Sequence, residues 1–372
     1  MSRVVVGIAV AVVLVAVLAG GWYWRLQREA VRWNDAKEIY SQSIEKDGSV
    51  WHVSMESLID RPAYLVWEAM KQPERSAEFI EAFRKSELIE EQDNRKVVRM
   101  QVQVLTLPIL SFDAEFRYDD TARRSTMKSL GTPPQQVDAS YEIVPSPDDK
   151  KCLVRYLGTV TNRVQVPLAE NVQRGAIQQL FVQTIRALNK GIEKGEQEAR
   201  ESAAKWEHVD EIATESIQRD AGTWRVSFES KLAAPPDKVW QALQSPGRWA
   251  GSSPALDKVT IETDEPARKT IQIRGRLLSL PAQSFRAEIA YDEAAKSARI
   301  KTIGSPLLEL DATYRIEPGP DGGTLVHYQA TASERVKVPP PEDVARGAIR
   351  QLYAETVRGL VRNAAPATAA AS

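Results

Sequence analysis

Side chains that move protons near neutral pH are scarce in this chain: 372 residues hold three histidines, His52, His208 and His327. None lies in a spacing that builds a site, since Cys-x-x-Cys, His-Glu-x-x-His, Gly-x-Ser-x-Gly and phosphate-loop patterns do not occur. The single cysteine, Cys152, excludes an internal disulfide and leaves the redox compartment open. No cofactor and no metal ion is expected. What the chain does carry is tyrosine in strand-like runs: Tyr118, Tyr141 and Tyr156, then Tyr291, Tyr314 and Tyr328. A buried tyrosine hydroxyl needs a partner, which can be backbone, water or a ligand head group.

The two tyrosine sets are copies of one another. At an offset of 173 residues Trp33 pairs with Trp206, Trp51 with Trp224, Val66-Trp67 with Val239-Trp240, and Pro73 with Pro246. The run SFDAEFRYD from Ser111 matches SFRAEIAYD from Ser284. One residue is lost in the turn after Pro147 and Pro320, and the offset becomes 172, so that RGAIQQLF from Arg174 matches RGAIRQLY from Arg346. Matches this dense mark a tandem duplication. The histidines do not survive the comparison: His52 stands opposite Arg225, and His327 opposite Arg155. The shared acids Glu115/Glu288, Asp119/Asp292 and Asp138/Asp311 fall at outward strand positions or turns, and read as surface and turn residues rather than catalytic carboxylates. Charge is balanced, 49 basic against 50 acidic residues, which argues against nucleic acid as a partner.

Each copy reads as an α+β unit. A strand over 51–58 precedes two short helices, one opened by Pro62 and one after Pro73. Alternating strands follow at about 86–91, 95–105, 111–119, 123–130, 135–144 and 152–162. A long amphipathic helix closes the unit, with Ile177, Leu180, Phe181, Thr184, Ile185 and Leu188 on one stripe. Strand alternation puts Phe112, Ala114, Phe116 and Tyr118 on one face, and Phe285, Ala287, Ile289 and Tyr291 on its counterpart. The other inward sets hold Met100, Tyr141, Tyr156 and several small residues, among them Ala139 and Gly158. Small residues on a face covered by one helix leave room for a cavity, unless the helix side chains fill it.

This order of elements resembles the START/Bet v 1-like (SRPBCC) superfamily over about 51–192 and 224–363, with Val66-Trp67 and Val239-Trp240 placed as in that family's first short helix. The resemblance implies a helix-grip fold in each copy, a curved antiparallel sheet wrapped on the closing helix around an apolar tunnel. It implies binding or carriage of a lipid, sterol, quinone or similar apolar molecule, with cyclase activity in a minority of members. On that basis the expected ligand-binding residues are Trp67, Met100, Phe112, Phe116, Tyr118, Tyr141, Tyr156, Arg174, Ile177 and Phe181 in the first copy. In the second they are Trp240, Phe285, Tyr291, Tyr314, Tyr328, Arg346, Ile349 and Tyr353. The two arginines open the closing helix, where a cation opposes the helix dipole. Either a nearby carboxylate holds them, or they meet the polar group of a ligand. Gly175 and Gly347 beside them are expected to let the helix approach the sheet closely. Loops at Leu107-Pro108, Gly131–Pro134 and Val166-Pro167, with counterparts at Leu280-Pro281, Gly304–Pro306 and Val338-Pro339, are expected to border the tunnel mouth.

Val4 to Trp24 is an uncharged apolar run, long enough at ~1.5 Å per residue to cross the ~30 Å core of a bilayer. Trp22, Tyr23 and Trp24 suit an interfacial belt, and Arg25, Arg28 and Arg32 follow. The alternative is a signal peptide cleaved near Val17-Leu18-Ala19. The arginines would keep the body cytoplasmic on a positive-inside count, whereas a short N-terminal tail favours export, and the exported side is preferred. The expected layout is an anchor over 1–25, a juxtamembrane helix over 26–50 and a first domain over 51–198. A linker helix over 199–223, a second domain over 224–363 and a disordered tail over 364–372 complete it. Three functions fit: membrane-tethered binding or transfer of an apolar molecule, a polyketide cyclase or dehydrase, and a scaffold. The loss of the histidines between copies, against retention of the apolar face and its tyrosines, favours binding over catalysis.

Overall fold

A computed structural model describes residues 24–364, apart from 34, 93, 106, 164–167, 279–282 and 306–307. The chain divides into two compact units, Met1–Glu193 and Lys194–Ser372.

The first unit opens with helix α1 (24–31). Strands β1 (Ser41–Asp47) and β2 (Val50–Ile59) form a hairpin, followed by α2 (Ala63–Met70), a 3-10 turn at Pro73–Arg75 and α3 (Ser76–Phe79). Then come β3 (Phe83–Gln92), β4 (Arg95–Val102), β5 (Leu110–Asp119), β6 (Arg124–Ser129), β7 (Gln135–Pro145) and β8 (Cys152–Asn162). The closing helix α4 spans Glu170–Ala204, and from Lys194 on it belongs to the second unit. The second unit repeats the order with β9 (Thr214–Asp220), β10 (Thr223–Leu232), α5 (Pro236–Leu243), α6 (Trp249–Ser252), β11 (Leu256–Glu265), β12 (Arg268–Gly275), β13 (Gln283–Asp292), β14 (Ser297–Ile303), β15 (Leu308–Pro318), β16 (Thr324–Glu334) and α7 (Glu342–Ala364). Each unit is an eight-stranded antiparallel sheet, ordered β1-β2-β8-β7-β6-β5-β4-β3 in the first and β11-β12-β13-β14-β15-β16-β10-β9 in the second.

The sheets carry one strand more than the sequence pattern predicts, and two expected helices are corrected accordingly. The juxtamembrane helix over 26–50 stops at 31, and its remainder includes β1; the linker helix over 199–223 stops at Ala204, and its remainder includes β9. Both edge strands bury a single side chain, Ile44 and Ile217, so their polar composition imitates a solvated helix. Their backbone groups are satisfied by pairing with β2 and β10 instead. The turns fit tight hairpins: Gly48 has φ 57°, and Ala221 and Gly222 have φ 45° and 80°, the left-handed pair of a type I′ turn.

Gly175 and Gly347 do mark close approaches, but between helices. A Cβ on Gly175 would lie 2.5 Å from the Cβ of Ala30 in α1, and one on Gly347 would lie 2.5 Å from the Cβ of Ala203 in α4. Ala30 and Ala203 are themselves repeat partners.

The apolar run read as a membrane span lies outside the described residues except for Trp24, as does the tail from 365 on. Among the described residues no helix is long and apolar enough to cross a membrane.

Candidate functional site

The face of each sheet turned to its closing helix is built by strand alternation. In the first unit Val98, Met100, Ala114, Tyr118, Ala139 and Ile143 are buried on it. Two apolar clusters form there. One gathers Trp51, Met55, Trp67, Tyr118, Phe181 and Ile185; the other gathers Val98, Met100, Val102, Ala114 and Ala187. Phe116 packs against both. The side chains bordering the clusters (Phe112, Phe116, Met127, Tyr141, Tyr156, Ile177 and Leu180) are only half-buried, although they point at the helix and not at bulk solvent. In the second unit one continuous cluster runs from Trp224 through Trp240, Ile289 and Tyr328 to Leu360.

Tyr141 and Tyr156 are register partners on β7 and β8, with ring centroids 4.9 Å apart. Tyr156 also meets the Phe181 ring at 6.2 Å. Thr184, near the Tyr141 hydroxyl, donates its Oγ1 hydrogen to the Leu180 carbonyl at 2.8 Å. Burial pushes the Tyr141 hydroxyl upward, with the Tyr156 hydroxyl adding to it. Burial alone pushes Tyr156 up to about 12. Both phenols are therefore neutral donors at physiological pH. The Tyr156 hydroxyl lies over Gly158, where a Cβ would come within 2.8 Å of it.

The second unit repeats the device and then closes it. Tyr314 and Tyr328 are 4.7 Å apart, and Thr356, near the Tyr314 hydroxyl, donates to the Leu352 carbonyl. Phe228 stacks on Tyr353 at 4.5 Å and on Tyr328 at 6.0 Å, with Tyr328 and Tyr353 5.3 Å apart. The Tyr353 and Ser230 hydroxyls are 2.8 Å apart, and Ser230 also donates to the Glu211 carbonyl. Burial pushes Tyr353 up to about 12.

Trp67 and Trp240 occupy a different place from the tyrosine pairs. Trp67 Nε1 donates to Asp120 at 2.7 Å, and its ring meets Tyr118 edge-on at 6.0 Å. Trp240 Nε1 donates to Glu293 at 2.7 Å and meets Tyr291 edge-on at 6.0 Å. Each tryptophan so fastens a short helix to the turn after the β5 or β13 strand. The Tyr291 hydroxyl donates to the Leu243 carbonyl at 3.4 Å, whereas the Tyr118 hydroxyl is buried with no partner among the described residues.

The arginines have structural partners. Arg174 lies 3.6 Å from Glu170, one helical turn away. Arg346 donates to Glu342 at 2.8 Å and to the Ile217 carbonyl at 2.9 Å, and covers the Trp224 ring at 5.8 Å. Ile177 and Ile349 both line the helix side of the interior half-buried, and Phe285 sits on the opposite sheet face. The shared acids lie where expected: Glu115 pairs with Arg95 and Arg117, Asp311 with Arg299, and Asp119 and Asp292 accept turn amides from Ala122 and Ala295. Val166-Pro167, Leu280-Pro281 and Pro306 of the expected rim lie outside the described residues. Among the described residues no group of His, Cys, Asp and Glu could hold a metal ion.

Two features escape the pattern reading. Ser57/Ser230 and Thr184/Thr356 match at the repeat offsets, and that coincidence of small hydroxyls on an apolar stripe was the available signal. Two shallow hollows also occupy matching places on the sheet face turned away from the helix. One, about 490 Å³, includes Ser43, His52, Asp138 and Thr159; the other, about 350 Å³, includes Ser216, Arg225, Asp311 and Thr331. His52 becomes Arg225 between them, so their chemistry is not shared.

A family profile described as polyketide cyclase / dehydrase and lipid transport matches residues 223–365, the second copy. No curated protein matches the chain. Solved structures similar to it include the di-domain aromatase/cyclase StfQ from the steffimycin biosynthetic pathway. That likeness has 12% identity and a TM-score of 0.32, covering 84% of this chain and 96% of that one. The Zhui aromatase/cyclase from a Streptomyces species is similar at 19% identity and a TM-score of 0.36, covering 39% of this chain and 94% of its own. A STAR-related lipid transfer protein from Xanthomonas axonopodis is similar at 16% identity and a TM-score of 0.32, covering 40% and 98%.

Proposed function

We propose that the chain binds or transfers a lipid-like apolar small molecule between sheet and closing helix, held at a membrane by its N-terminal apolar run with the body on the exported side. The observation that carries the binding reading is the half-buried wall of Phe112, Phe116, Tyr141, Tyr156, Ile177 and Leu180, deep in the first unit and facing the helix. Apolar side chains that stay reachable behind a helix give a hydrophobic ligand surface to bury, at roughly 25 cal/mol per Å². The duplicated tyrosine pairs, Tyr141 with Tyr156 and Tyr314 with Tyr328, set phenol rings side by side on the apolar face, which supports orienting a ligand. The family description that matches the second copy includes lipid transport as well as cyclase chemistry. Binding is favoured over cyclisation because the two copies share the apolar face and its tyrosines but not the histidines.

The test is gentle extraction of the full chain from its own cells, followed by organic extraction and mass spectrometry. A stoichiometric apolar small molecule is expected; a chain that carries none and takes up none contradicts the reading. Membrane tethering is tested by comparing the membrane fraction of the full chain with that of a chain lacking residues 1–23. Protease added outside intact cells tests the side, because an exported body is cut and a cytoplasmic one is protected.

A further inference from the structure

The two units have diverged inside. Beside the tyrosine pair, three repeat positions are larger in the second unit: Met55 becomes Phe228, Gly158 becomes Ala330, and Phe181 gains a hydroxyl as Tyr353. Phe228, Tyr328 and Tyr353 then fill the space with one aromatic stack. Tyr314 and Tyr328 are only 5% and 7% exposed, whereas Tyr141 and Tyr156 are half-buried. Ile289 is smaller than its counterpart Phe116, yet it is fully buried while Phe116 is not. The first unit is the looser one.

Two hydroxyl contacts follow the same division. In the second unit Ser230 is bonded to Tyr353 and Tyr291 to Leu243. Their counterparts Ser57 Oγ and the Tyr118 hydroxyl are buried without a partner among the described residues. Neither the Tyr156 nor the Tyr328 hydroxyl makes a hydrogen bond among the described residues, but Tyr328 is closed in by Phe228 and Tyr353 while Tyr156 stays on the half-buried wall. An unpaired donor on an apolar wall costs free energy unless something else meets it.

We infer that the first unit alone holds the ligand, that this ligand is neutral and apolar with one acceptor oxygen of the carbonyl kind, and that the Tyr156 hydroxyl donates to that oxygen. The second unit is a copy filled by its aromatic stack. A charged head group is disfavoured at the Tyr156 end, where the Tyr141 and Phe181 rings stand and burying an unpaired charge is costly. The inference rests on the proposed apolar binding and adds to it which copy binds, which residue selects, and what class of molecule is selected.

The experiment titrates the full chain with Nile red, a neutral carbonyl-bearing dye whose emission moves to the red when that carbonyl accepts a hydrogen bond. One equivalent is expected to bind. Met127→Trp, on the half-buried wall of the first unit, should abolish binding, whereas Ile300→Trp at the repeat-equivalent position should leave it intact. Tyr156→Phe removes only the hydroxyl, and should move the emission to the blue and weaken binding roughly five-fold, the loss of one neutral hydrogen bond. Circular dichroism checks that each variant folds, and Tyr156→Phe answers the question should Met127→Trp fail that check. Two equivalents bound, binding lost with Ile300→Trp alone, or an unmoved emission in Tyr156→Phe overturns the inference while leaving apolar binding standing. No uptake by the wild-type chain overturns both.

Discussion

In the second unit the Tyr353 hydroxyl meets the Ser230 hydroxyl at 2.8 Å inside the core; in the first, the same pair is Phe181 and Ser57, and Ser57 Oγ has no partner among the described residues. The Tyr353 oxygen makes a polar contact that Phe181 cannot, beside the bond from Ser230 to the Glu211 carbonyl. Phe181→Tyr should supply the missing partner and stabilise the full chain by about 1 kcal/mol, whereas Tyr353→Phe should leave Ser230 with its bond to the Glu211 carbonyl and cost about 1 kcal/mol. Urea unfolding of the two variants checks both signs, and equal effects would remove the contrast between the units.

The tryptophan clasps make a second prediction. Trp67 and Trp240 are nearly fully buried, but the carboxylates they donate to stand largely in water. Trp67→Ala should therefore cost ~3–5 kcal/mol through lost packing. Asp120→Ala should change stability little and mainly speed solvent exchange of the Trp67 indole proton, since exposed polar contacts contribute weakly. Exchange measured by NMR, with an unfolding curve alongside, separates the two contributions.

Gly175 and Gly347 test the packing of the helices. An added Cβ would reach the backbone Cα of Ala30 at 2.6 Å and that of Ala203 at 2.7 Å, so backbone and not a flexible tip must yield. Gly175→Ala and Gly347→Ala should each destabilise by roughly 1–3 kcal/mol. Hydrogen exchange should rise locally, over 24–31 in the first variant and near Ala203 in the second. Unchanged protection there would show that these contacts do not hold the helices.

Much of this was readable from residues. The repeat offsets aligned the tyrosines, the short helices and the strands from β3 to β8, because alternation on a half-buried sheet leaves a clear period of two. The edge strands β1 and β9 were not readable as such, since an edge strand that buries one isoleucine has no periodic signal to offer. The Asp47-Gly48 pair was a hairpin signal that the charged residues around it obscured. Arg174 and Arg346 looked like ligand contacts because the helix dipole disfavours them, but the Glu170 and Glu342 carboxylates one turn back account for their position. The division of labour between units depends on which hydroxyls find partners, and that is a matter of three-dimensional contact.

Acid should weaken the second unit through its helix-to-hairpin ion pairs. The hydrogen bond from Arg358 holds Glu211 below the usual carboxylate range, and that from Arg350 does the same for Glu215, each against the cost of partial burial. A lowered folded pKa adds stability that is complete above the ordinary value near 4.5 and is lost as pH falls through the folded value. Thermal stability should therefore hold down to about pH 5 and decline below 4.5. Glu211→Gln should begin less stable at pH 7 and lose less on acidification, which paired melting curves will show.

The most direct measurement is a crystal structure of the full chain grown with a bromine-tagged long-chain ketone. An apolar site behind the closing helix predicts anomalous bromine density among Phe116, Tyr156 and Ile177 in the first unit. Density confined to the outer hollows around His52 or Arg225, or to the protein surface, would contradict it.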